Sequence, residues 1–304
     1  MSSRRTRSVL AAASVLTVLA LGVTACSTSD GQAAATGGAG DKIKVVASTD
    51  VWGSVLSAVG GDKVQVTSII HDPKADPHSY ESTAEDGLAV QDAKVLLGNG
   101  GGYDDFFTKL SDQAPGAKKL VAYDIAGTGN ENEHVWYSLP SVEKVADQVA
   151  AQLGQVQPAS QKLFTDNATA FKTKVESLLR TVTQIGVAHP GEKVIATEPI
   201  AFYLLGAAKV TDATPKEFSN AVEQETDIPV AAVDQVKQLI SGKQVNAVVN
   251  NAQTTTTITD QIIANAKTAG IPVVDVTETF PDGATDYIGW MTKEVDALSG
   301  ALSS

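Results

Sequence analysis

Short apolar runs alternate with helix-patterned stretches along most of this chain, and one long helical run interrupts the alternation. Residues 43–48, 64–70, 94–98 and 119–123 read as buried strands, with helices over about 51–59 and from near Ser82. A helix over about 141–153 is followed by a longer one over 160–182. In the longer one Leu163, Phe164, Phe171, Val175, Leu178 and Leu179 recur at helical spacing. Strands resume at 194–196, 247–249 and 273–276. Strands spaced by helices imply parallel β-α-β units. The expected fold is α/β: two similar lobes with parallel sheets, joined by one long rigid helix that spans about 30 Å. In such sheets ligands sit beyond the carboxyl ends of the strands.

The N-terminus points outside the cytoplasm. Arg4, Arg5 and Arg7 precede residues 9–23, which are almost wholly apolar or small. That run matches a secretory signal and is shorter than the roughly 20 residues of a spanning helix. Val23-Thr24-Ala25-Cys26 resembles a bacterial lipobox, in which the cysteine is lipidated and becomes the mature N-terminus. Cys26 is the only cysteine, so an intramolecular disulfide is excluded. Each buried acyl methylene contributes about 0.8 kcal/mol, so two or three chains would hold the protein firmly at a membrane. Small, polar, Gly-rich residues 27–41 read as a tether.

The expected organisation is a signal peptide at 1–25 and a lipidated cysteine with flexible tether at 26–41. An N-terminal lobe at 42–155, a linking helix at 156–185 and a C-terminal lobe at 186–304 complete it. Without the three signal arginines, the 23 basic residues fall to 20 against 35 acidic ones, a net charge of −15. An acidic surface repels nucleic acid, and no such partner is expected. A solvated acidic face explains the charge equally well, so it carries no functional weight. No second apolar run approaches membrane-spanning length, and no short internal repeat marks a solenoid.

Two of the four histidines stand in distinctive phrases, Asp76-Pro77-His78-Ser79-Tyr80-Glu81 and Asn132-Glu133-His134-Val135-Trp136. Each follows a predicted strand. Neutral imidazole is the commonest ligand for divalent transition metals, and two from different loops suggest a cation held between elements.

Together these phrases resemble those of the cluster A-I solute-binding lipoproteins, which serve zinc, manganese and iron ABC importers. The resemblance covers nearly all of residues 43–302. It implies a metal site in the interlobe cleft with two ligands from each lobe. His78 and His134 would be the first two, with Glu133 standing where proline is usual before the second. Ala196-Thr197-Glu198-Pro199 would supply Glu198, at a position that is often histidine in zinc-type members and often glutamate in manganese-type ones. Val276-Thr277-Glu278-Thr279 would supply Glu278, with Asp282 as its rival. Glu198 has a second reading as the cap of a helix beginning near Pro199. His71 and His189 have no counterpart and read as exposed or structural. Trp52, Trp136 and Trp290 read as core and cleft residues, with Trp136 a candidate shield for the metal. Tyr80 and Glu81 read as support for the ligands.

The implied cargo is one divalent transition metal ion, Mn²⁺ or Zn²⁺. Two imidazoles and two carboxylates suit six-coordinate manganese or iron if the acids chelate, and tetrahedral zinc if they do not. Residues 127–133 lack the histidine-rich loop of many zinc-type relatives, which tilts the choice towards manganese. The implied partners are an ABC permease, its cytoplasmic ATPase and the membrane, with the chain a monomer. The chain has no Walker phrase for hydrolysing ATP itself. An enzyme is not expected: His-Glu-x-x-His and Gly-x-Ser-x-Gly are absent, and four protein ligands leave no open position for water. An adhesin would need repeats or an exposed aromatic patch. A siderophore binder would need an apolar cleft without the histidine pair.

Overall fold

The computed structural model describes residues 42–129, 132–224 and 226–303, and residues 41–304 make one compact unit. The signal segment, Cys26 and the tether lie outside the described residues.

The first sheet is built from β1 (Ile43–Thr49), β2 (Val64–Ile70), β3 (Val95–Gly98) and β4 (Lys118–Val121) in the order β2-β1-β3-β4, all parallel. The helices between them are α1 (Asp50–Gly60), α2 (Ala84–Gln91) and α3 (Asp105–Ser111), and α4 (Ala122–Ala126) follows β4 directly. Parallel strands covered on both faces carry unbroken apolar runs, and all four residues of β3 are buried. The fourth strand is shorter than expected. Ala122 and Tyr123 belong to α4, which Gly127 ends in the left-handed region at φ 65°.

Two long helices follow, α5 (Leu139–Val156) and α6 (Gln161–Ala188). The buried residues of α6 are Phe164, Ala168, Phe171, Val175, Leu178, Val182 and Ile185. Their spacing alternates four and three, a coiled-coil-like seam. Ile185 continues that seam, which carries the helix beyond the expected end at Val182. At 28 residues, α6 is about 42 Å long.

The second sheet repeats the first. It contains β5 (Lys193–Ala196), β6 (Thr211–Asp212), β7 (Ala247–Asn251) and β8 (Val273–Val276) in the order β6-β5-β7-β8, again all parallel. Its helices are α7 (Phe202–Ala207), α8 (Lys216–Glu223), α9 (Val230–Ser241), α10 (Thr257–Ala269) and α11 (Tyr287–Leu302). No described helix is long and apolar enough to cross a membrane.

One hydrophobic cluster runs through both lobes, from Val45 and Trp52 past Trp136, Phe171 and Val175 to Val249 and Trp290. Separate clusters fill the outer face of each sheet. Polar bonds also cross between lobes. The Phe280 N–H donates to the Asp50 carboxylate at 3.2 Å, and the Tyr287 N–H donates to Ser54 Oγ at 2.9 Å. Gln253 Nε2 donates to the Pro73 carbonyl at 2.7 Å.

Candidate metal centre

His134 sits between α4 and a 3₁₀ turn at Val135–Tyr137, and it is 1% exposed. The Asn132 amide determines how its ring is used. Asn132 Nδ2 donates to the Pro199 carbonyl at 3.2 Å, so Oδ1 faces the histidine. That oxygen lies 2.9 Å from the His134 backbone nitrogen and 3.0 Å from Nδ1. Nδ1 therefore carries the proton, and the Nε2 lone pair is left for a ligand. Burial, reinforced by the nearby His78, pushes the imidazolium pKa down to about 3. The ring is neutral at physiological pH. Trp136 stacks edgewise against it at 5.1 Å.

His78 lies in the loop after β2. Its backbone N–H donates to Asp76 Oδ1 at 2.9 Å, and Ser79 Oγ donates to Asp76 Oδ2 at 2.7 Å, so Asp76 shapes the turn. The ring meets the Tyr103 edge at 5.0 Å and lies 6.4 Å from His134 between centroids.

The two acids come from the other sheet. Glu198 follows β5 and Glu278 follows β8; both are buried, at 5% and 4% exposed. Asn251, at the end of β7, joins them: its Nδ2 donates to Glu198 Oε2 at 2.9 Å and to Glu278 Oε1 at 2.7 Å. Glu278 also receives its backbone orientation from Gln253, whose Oε1 accepts from the Glu278 N–H at 2.6 Å. Its other oxygen, Oε2, lies 4.0 Å from His78 Nε2. Burial pushes the Glu278 carboxyl up, opposed by His78 and the Asn251 bond. The rival Asp282 is exposed. Glu198 is the N-cap residue of the turn at Pro199–Ala201, with no side-chain capping bond to it.

The fold thus brings His78, His134, Glu198 and Glu278 to the carboxyl ends of both sheets. A cavity of about 200 Å³ opens beside them, lined by Asp76, His78, Ser79, Glu198 and Thr254 among others. Two buried carboxylates sharing one amide repel each other, and a divalent cation between them would relieve the repulsion.

The expected support from Tyr80 and Glu81 is corrected. The Tyr80 hydroxyl donates to Asp86 at 3.0 Å and its ring packs on Phe106, because Asp86 also caps α2; Glu81 is exposed. The supporting residues are Asn132, Asn251 and Gln253. His71 is exposed, and His189 is half-buried beside Ser303. Trp52 and Trp290 are fully buried and donate to Asn99 and Thr277. Sequence reading also passed over Glu133, whose carboxylate joins His78 and His134 in one cluster.

Comparison with known families matches residues 45–301 to the family described as zinc-uptake complex component A, periplasmic. The chain belongs to this family. Relatives of the chain include the manganese-binding lipoprotein MntA of Halalkalibacterium halodurans, 25% identical over 298 residues, covering 95% of this chain and 97% of that one. Another is the metal ABC transporter substrate-binding lipoprotein ScbA of Streptococcus cristatus, 27% identical over 245 residues, covering 74% and 76%. The same fold is seen in the periplasmic zinc binding protein TroA of Treponema pallidum, with a TM-score of 0.73 at 16% identity, covering 86% of this chain and 99% of TroA.

Proposed function

We propose that this chain is the extracytoplasmic binding protein of a metal-ion ABC importer. It captures one divalent transition metal ion between its lobes and delivers it to a membrane permease driven by a cytoplasmic ATPase. Cys26 carries the lipid anchor, and the protein works as a monomer at the cell membrane. The ligands are His78, His134, Glu198 and Glu278.

One observation carries the reading: imidazoles from one sheet's loops meet buried carboxylates from the other's. The 4.0 Å between His78 Nε2 and Glu278 Oε2 is close to twice a metal–ligand bond of about 2.1 Å, so an ion fits between them with little movement. His134 needs no deprotonation before it binds.

Manganese is the favoured cargo. The donor set holds carboxylates and no thiolate, and MntA is named for manganese. Zinc is the second reading, favoured by the affinity order and by the family's description. The test is a titration of the metal-free soluble chain starting at Ser27, with Mn²⁺ and Zn²⁺ in competition and native mass spectrometry as readout. One bound ion, lost in His78→Ala and His134→Ala, is the expected result. Mn²⁺ retained at comparable Zn²⁺ supports manganese as cargo. Failure to bind either ion removes the metal reading.

A further inference from the structure

Glu133 stands one residue before His134. One of its carboxylate oxygens, a ring nitrogen of His78 and a ring nitrogen of His134 all lie within 4.8 Å of one another. An ion bonded to all three at about 2.1 Å centres a triangle with sides of about 3.6 Å, so inward shifts of up to about 0.7 Å per ligand atom close the cluster around one cation. We propose that Glu133 is a fifth ligand to the bound cation. The first lobe then presents a complete two-imidazole, one-carboxylate face before the second lobe adds Glu198 and Glu278.

The backbone holds this side chain in place. The Glu133 carbonyl accepts from Asn99 Nδ2 at 2.9 Å and from the Val135 N–H at 2.7 Å. Across from it Gly101 adopts φ +72°, and a Cβ there would stand 2.9 Å from the Tyr123 ring and 3.1 Å from Glu133 Cβ. The glycine turn therefore leaves the space that Glu133 fills, and its left-handed backbone disfavours any residue with a side chain. Both flanking residues, Asn132 and His134, are already tied into the site.

A fifth donor changes selectivity. Structural zinc sites are four-coordinate and tetrahedral, whereas added carboxylate oxygens favour harder ions that accept five or six ligands. Glu133 is on this account the residue that turns a mixed site towards Mn²⁺.

The inference rests on the proposed cation-binding reading, and one experiment separates the two. Metal-free wild type, Glu133→Ala, Glu133→Gln and His78→Ala, each starting at Ser27, are titrated with Mn²⁺ and Zn²⁺ in competition. Bound Co²⁺ is then read by visible absorption, whose intensity rises when five- or six-coordination gives way to four. Unchanged melting of the metal-free variants shows that they fold, since the bonds that place Glu133 come from its backbone. The expected result is a tenfold or greater loss of Mn²⁺ affinity in Glu133→Ala, a smaller loss for Zn²⁺, and a more intense Co²⁺ spectrum. Wild-type Mn²⁺ affinity and an unaltered Co²⁺ spectrum in Glu133→Ala, with binding lost in His78→Ala, overturn the role of Glu133 and leave the binding reading standing. No ion bound by the wild type overturns both.

Discussion

Asn132 links the two halves of the site through a single side chain. It orients His134 through Oδ1, donates to Pro199 through Nδ2, and its own carbonyl accepts from the Tyr203 hydroxyl at 2.7 Å. Groups that orient a ligating histidine typically contribute 10- to 100-fold in metal affinity. Asn132→Ala is expected to weaken binding by about that factor, measured by competition titration; unchanged affinity would contradict the assignment. Glu294 supplies a second case, behind the loop that carries Glu278, where it accepts from the Thr277 N–H at 3.2 Å. It is buried, and burial raises its carboxyl to about 8 despite the Tyr137 bond. The single Tyr137 hydroxyl proton reaches both the Thr277 carbonyl, at 2.8 Å, and Glu294. A protonated Glu294 resolves this by donating to Tyr137, which then donates to Thr277. The folded state keeps this proton up to about pH 8, whereas the unfolded chain releases it near the ordinary 4.5. Between those values the native state binds more protons, so this group makes stability fall as pH rises, by at most about 1.4 kcal/mol per unit. Glu294→Gln keeps a donor without the charge. Thermal melts should show that slope flattened and the variant more stable than wild type at pH 9; equal slopes would refute the account.

At the scale of elements, α6 is where pattern and packing agree most closely. Phe171 lies in its buried seam and faces Tyr287 of α11 at 6.0 Å, so it couples the linking helix to the second lobe. Phe171→Ala should cost about 3–5 kcal/mol in denaturant unfolding, and a loss below about 1 kcal/mol would mean the seam repacks. This helix was legible because its apolar spacing persists over most of its length. β1, β3, β5 and β7, the central strands of the two sheets, were legible because buried parallel strands read as near-continuous apolar runs. Two elements were not. β6 is two exposed residues, Thr211 and Asp212, with no alternation to detect. Residues 122–126 continue a β-like run until Gly127 closes a one-turn helix. The histidines of the site were visible because their phrases are uncommon. Asn132 and Asn251 were not, because an amide has no signature until the fold shows what it touches.

For the whole molecule, one core spanning both lobes and the bonds from Asp50, Ser54 and Gln253 argue against a wide hinge. Binding in preorganised sites moves the backbone by about 1 Å or less. Small-angle scattering of metal-free and loaded protein should give radii of gyration that agree within about 1 Å; a larger contraction would show that the lobes close independently of α6. The central claim is that a cation is held where the two sheets' loops meet. Anomalous diffraction at the manganese absorption edge, from crystals of Mn²⁺-loaded protein, tests it most directly. The account expects one strong peak within bonding distance of His78, His134, Glu198 and Glu278. A peak elsewhere, or none in a protein that has bound the ion, would contradict it.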